Sequence, residues 1–178
     1  MTDEYIRLGR EQLNAGNPKK ALDFFLSAHA LQPDSAEVFF YIGHAYSNMN
    51  QVEEAIKYYR KSLELDPEAS GAWTNLGNKY DDLGQYDLAE ECYRRSSLVD
   101  PDDDANYVEW GRMYQNQERY EEALACYEEA TRINPDNEEA WDNQSDCLRN
   151  LDKWNETAEV CEKPVSRWPE KARYWSNG

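Results

Sequence analysis

Apolar side chains along this chain recur three and four positions apart, and the whole pattern returns every 34 residues. Trp73, Leu76 and Tyr80 make one helical stripe, and Ala89, Tyr93 and Ser96 make a second. Between the stripes, Gly16, Asn50 and Gly84 mark a turn that calls for a left-handed residue. Pro33, Pro67, Pro101, Pro135 and Pro169 close the pattern, because proline cannot continue a helix. The spacing predicts five gapless helical hairpins, at 2–35, 36–69, 70–103, 104–137 and 138–171.

Other columns run in the same register. Gly9, Gly43, Gly77 and Gly111 are continued by Ser145, and Tyr5, Phe39, Trp73, Tyr107 and Trp141 form an aromatic column. Ala21, Ala55, Ala89 and Ala123 are continued by Thr157, and Phe25, Tyr59, Tyr93 and Tyr127 by Cys161. The glycines leave room for a second helix to approach closely, and small residues on that helix let the two interlock. A hairpin of this kind has two apolar faces and cannot bury both alone, whereas a stack buries a continuous core.

The run Trp73, Leu76, Gly77, Tyr80, Ala89, Tyr93, Pro101 resembles the signature of the tetratricopeptide repeat family. The resemblance spans residues 2–171 and thins in the last unit. It implies an all-α fold, a right-handed superhelical solenoid of antiparallel helix pairs. The expected organisation is one domain, 1–171, followed by a short tail, 172–178.

Individual units depart from the pattern. Gln12 stands where Tyr46, Tyr80 and Tyr114 stand elsewhere, and Trp110 takes the leucine position of unit four. In unit five, Gln144 replaces the core leucine, and Pro164 falls inside the predicted second helix, which it should kink or end. The tail carries Trp168, Tyr174 and Trp175. It either folds back over the last apolar face or begins a sixth unit.

Composition narrows the function. Aromatics make up 13% of the chain, and the aromatic columns account for them. The net charge of −17 argues against nucleic acid, whose affinity needs lysine and arginine, and against an anionic membrane surface. No run of about 18 apolar residues is present, and the first residues lack the basic and apolar segments of a signal peptide. A cytoplasmic protein is expected. Cys92 and Cys126 share a column, and stacked helices about 8–10 Å apart hold such pairs beyond disulfide reach, so the four cysteines read as free thiols.

No catalytic motif occurs, and the two histidines, His29 and His44, leave little scope for acid–base chemistry. Asp100, Asp102 and Asp104 begin like a calcium loop but lack its glycine and closing glutamate, so they are expected to cap the next helix. No metal, cofactor or enzymatic activity is expected.

What remains is the groove that the resemblance implies along the first helices. Its expected peptide-binding residues are Arg7, Arg10, Phe40, Tyr41, His44, Asn75, Asn78 and Arg112. The arginines and His44 suit a carboxylate, Phe40 and Tyr41 an apolar side chain, and the asparagine amides a peptide backbone. Asp81, Asp82, Glu109, Asp142 and Asp146 would favour a basic part of the same ligand. The carboxylate clamp of chaperone-binding members does not fit: on units two to four its positions hold Phe40, His44, Asn75, Ala105 and Glu109, and only Asn75 is of the required type. The expected function is a non-catalytic scaffold or adaptor that holds a peptide segment of a partner protein. The alternatives are a homo-oligomer assembled through the C-terminal end, or a chaperone for a secreted or assembling client.

Overall fold

The computed structural model describes residues 1–153. Among them are nine α-helices and no strand: α1 (Thr2–Asn14), α2 (Pro18–Leu31), α3 (Ala36–Asn48), α4 (Val52–Leu65), α5 (Ser70–Asp82), α6 (Tyr86–Val99), α7 (Asp104–Asn116), α8 (Tyr120–Ile133) and α9 (Glu138–Asn150). Consecutive helices pair as hairpins, α1 with α2, α3 with α4, α5 with α6 and α7 with α8, and α9 packs on α8. The second helix predicted for unit five, Pro164 and both readings of the tail lie outside the described residues. The chain divides into two compact units, residues 1–100 and the part from Pro101 onward.

Each first helix ends the same way. Gly16, Asn50, Gly84, Glu118 and Asp152 take positive φ values of 73°, 57°, 68°, 59° and 57°. The next amide reaches back five residues, Gln85 N to Tyr80 O at 2.9 Å and Arg119 N to Tyr114 O at 3.0 Å, closing the bond that such a C-terminus requires. Glu118 and Asp152 occupy this geometry without being the residue types that suit it best.

The glycine column is a row of sockets for aromatic rings. A Cβ built on Gly9 would fall 2.3 Å from Cε1 of Phe25, and on Gly43 2.8 Å from Cδ1 of Tyr59. The same holds for Gly77 against Tyr93 (2.9 Å) and Gly111 against Tyr127 (2.7 Å). These four rings are fully buried. Two are also held at the hydroxyl, Tyr93 donating to Oδ1 of Asn78 at 2.6 Å and Tyr127 to Oε1 of Gln115 at 2.8 Å.

Small hydroxyls close the other end of two hairpins. Ser62 Oγ donates to the carbonyl of Ala36 at 2.8 Å, and Ser96 Oγ to that of Ser70 at 3.1 Å. The indoles of Trp73 and Trp141 pin their helix starts to the preceding proline turn, donating to Pro67 O at 2.9 Å and Pro135 O at 3.0 Å.

The irregular positions find local solutions. Gln12 accepts from Asn17 Nδ2 at 3.3 Å. Trp110 lies stacked between Tyr107 and Tyr114, at centroid distances of 6.4 and 6.1 Å. Cys92, Cys126 and Cys147 are free and buried. Burial pushes the Cys92 thiol up to about 12 and the Cys147 thiol to about 11, so neither is a thiolate at neutral pH.

At the start of α7 the detail differs from expectation. Asp103 is the N-cap residue, and the carboxylate of Asp104 accepts from Nδ2 of Asn134 at 3.0 Å and of Asn137 at 2.6 Å. Asn137 in turn caps α9, its Oδ1 accepting from Ala140 N at 3.0 Å. The acid therefore braces the next hairpin's cap instead of closing only its own helix.

Candidate functional site

Within residues 1–100 the first helices α1, α3 and α5 carry seven of the eight expected groove residues. Four of them form one connected cluster. The Arg10 guanidinium lies over the Tyr41 ring, 5.6 Å from its centroid. Tyr41 stacks on the buried Phe25 at 5.3 Å, and Phe40 meets Tyr41 edge-on at 5.3 Å. Phe40 also contacts His44 at 6.1 Å and Tyr59 at 5.9 Å. Burial lowers the His44 pKa, which keeps that imidazole neutral at physiological pH.

A cavity of about 230 Å³ opens beside this cluster, bordered by Phe40, Tyr41, Glu37, Gly71 and Ala72. The half-buried rings give it an apolar wall. The Asn75 amide donates to the carbonyl of Gly71, a residue that borders the cavity, at 2.8 Å, so part of its hydrogen-bonding capacity is already engaged. Asn78 is engaged too: its Oδ1 accepts the Tyr93 hydroxyl, which leaves the amide N–H groups as its donors. Arg7 is paired with Glu11 one turn along α1, at 2.5 Å. Arg112, on α7, belongs to the second unit and is paired with Glu109.

Charge pairing separates the arginines further. Lys79, Arg94, Arg95, Arg112, Arg119, Arg132 and Arg149 all hold a carboxylate three or four residues away. Arg10, Lys19, Lys20, Arg60 and Lys61 have none among the described residues. Among the described residues, these five cations all lie in the first 61 positions of a strongly acidic chain. Of the expected acidic groove residues, Asp82, Glu109 and Asp146 are the partners of Lys79, Arg112 and Arg149. Sequence periodicity finds which residues share a face, but not which are already spoken for by a neighbour one turn away.

Among the described residues no group of three or more His, Cys, Asp or Glu side chains is placed to hold a metal ion. No helix among them is long and apolar enough to cross a membrane.

Comparison with known proteins bears on the fold. No curated protein matches this sequence. MamA, residues 41 to the end, from Desulfovibrio magneticus RS-1 is 19% identical at a TM-score of 0.78, covering 99% of this chain and 97% of that one. PilF of Pseudomonas aeruginosa is 17% identical at a TM-score of 0.83, over 98% and 88% of the two chains. Cut9, solved as the Cut9–Hcn1 hetero-tetramer of APC/C, is 22% identical at 0.74, over 81% of this chain and 29% of its own. These likenesses establish the all-α solenoid fold. The tetratricopeptide repeat pattern itself matches residues 36–68, 70–103 and 105–137. These three stretches make up more than half of the sequence, and the chain therefore belongs to the tetratricopeptide repeat family, whose domains serve as scaffolds for protein–protein interaction.

Proposed function

We propose that this protein is a non-catalytic adaptor that binds a peptide segment of a partner protein along the first helices of residues 1–100. The observation that carries this reading is Arg10. Its side chain is exposed, has no carboxylate partner among the described residues, and lies over the Tyr41 ring beside the apolar cavity. A ligand side chain entering between Phe40 and Tyr41 would bury against aromatic carbon, and a ligand carboxylate would find Arg10 within reach of the same site. Asn75 and Asn78 supply amide groups for the ligand backbone, Arg7 a second cation once released from Glu11, and His44 a neutral polar wall. Arg112 serves the second unit in the same role.

The same reading takes residues 1–171 as one repeat domain of five hairpins, with 172–178 as a tail, working in the cytoplasm. Peptides selected from a random displayed library against the wild-type protein test it. Such peptides should be acidic and should lose at least tenfold in affinity for Arg10→Glu and for Tyr41→Ala. Equal affinity for wild type and both variants overturns the groove reading.

A further inference from the structure

A second cavity, of about 480 Å³, lies on the other side of the hairpin stack, between α4 and α6 and floored by α5. Its size is within the range of ligand-binding pockets. The repeat shows why it is there. Thirty-four residues earlier, the corresponding space between α2 and α4 is filled by a ring: Tyr58 stacks on Tyr46 at 5.4 Å and contacts Phe39 at 6.1 Å, with the Lys61 ammonium over both Phe39 and Tyr58. The positions equivalent to Phe39, Tyr46 and Tyr58 are Trp73, Tyr80 and Cys92. Trp73 and Tyr80 still supply aromatic walls, but the short side chain of Cys92 stands where the ring would be, and the cavity lies beside all three.

We infer that this slot is a second docking site, which accepts one aromatic side chain of a partner peptide carrying a carboxylate beside it. The walls explain the aromatic: Trp73, Tyr80, Leu76 and Leu63 offer the surface that Tyr58 uses in the preceding interface. At the mouth, the position of half-buried Glu54 is taken by Leu88, which is 49% exposed and extends the apolar surface outward.

The charge at the rim explains the carboxylate. Arg60 borders the slot, is exposed, and has no ion-pair partner among the described residues. Glu91 is already bridged by Arg94 at 2.6 Å and by Arg95 at 2.8 Å, and Glu64 is the remaining acid. The charge of Glu91 is thus already balanced, and Arg60 is left at the rim to meet an incoming carboxylate. A carboxylate beside the aromatic ring can pair with the Arg60 guanidinium, a contact that a basic segment cannot make.

The test is a two-dimensional NMR titration of the full chain with N-acetyl-tryptophan, with N-acetyl-tryptophanamide as the uncharged partner probe and N-acetyl-alanine as the control. Saturable shifts are expected at the Trp73 indole N–H and the amides of Leu76, Leu88 and Cys92. The amide probe should bind at least threefold more weakly, and N-acetyl-alanine should leave these signals unmoved. Cys92→Tyr rebuilds the missing ring and should abolish the shifts while raising Tm. If that variant fails to fold, Leu88→Glu should reduce binding at least tenfold. Arg10→Glu should leave the titration unchanged, which separates this site from the one on the first helices. The inference is overturned by the absence of saturable shifts, by shifts that persist in Cys92→Tyr or Leu88→Glu, or by equal shifts with N-acetyl-alanine. A wild-type dimer that Cys92→Tyr converts to monomer would also overturn it, because the occupant would then be a second copy of this chain.

Discussion

A Cβ on Gly77 would stand 2.9 Å from Cε1 of Tyr93, so the glycine is the floor on which that ring rests. The ring has nowhere to retreat, being fully buried and tied through its hydroxyl to Asn78. Alanine in place of a helical glycine would ordinarily gain about 1 kcal/mol of helix propensity. Here the overpacking term, about 1–3 kcal/mol, opposes it and wins. Gly77→Ala should lower the urea midpoint, and the loss should shrink or reverse in a Tyr93→Leu background. Strict additivity of the two substitutions would mean that ring and glycine are not coupled.

Glu118 holds a left-handed backbone at φ 59°, which costs a residue with a Cβ about 1 kcal/mol. Glu118→Gly should therefore raise stability, by up to about 1 kcal/mol. Gly84→Ala, at φ 68°, should lower it by a similar amount. Thermal unfolding of both variants checks the pair, and opposite signs are the expected outcome.

Asp104 carries the hydrogen bonds of two asparagines, one of which caps α9. Asp104→Ala should cost about 2 kcal/mol, the scale of a charged hydrogen bond lost from a partly buried site. Hydrogen exchange would show where the loss falls. The first-turn amides of α9 should exchange faster, while those of α1 to α4 stay as they were.

His44 makes stability fall as pH drops. Its folded pKa lies below the ordinary 6.5 because burial disfavours the charged ring, so the unfolded chain binds the proton more readily. The contribution is fully present above about pH 6.5 and is lost progressively below it, until the folded ring itself is protonated. The relevant quantity is a difference between wild type and a variant that lacks the imidazole. Wild type should lose more stability between pH 7.5 and 5.5 than His44→Gln does, as measured by urea titration at each pH.

Much of this fold is legible in the sequence because a repeat states each structural rule several times. The positive φ at Gly16, Asn50 and Gly84 follows from residue type, but Glu118 and Asp152 adopt the same geometry with types that do not announce it. Only their place in the column reveals them. Cys92 is the opposite case. It reads as an inert thiol when taken as a cysteine, and as a missing ring when taken as the successor of Phe24 and Tyr58. The candidate groove is less legible, since the pairing of Arg7 with Glu11 and of Asn78 with Tyr93 depends on rotamers and on approach between helices, which periodicity does not encode.

The ring-on-glycine contact also bears on how the chain folds. Phe25 closes on Gly9, Tyr59 on Gly43, Tyr93 on Gly77 and Tyr127 on Gly111, each pair sixteen positions apart in sequence. These close contacts are therefore reached by closing a short loop, with no distant segment required. Chains dominated by such short-range closures collapse quickly, and their repeats act as nearly independent nuclei that recruit their neighbours. A hairpin emerging from the ribosome would already contain both halves of its own lock, so ordering can advance hairpin by hairpin with synthesis.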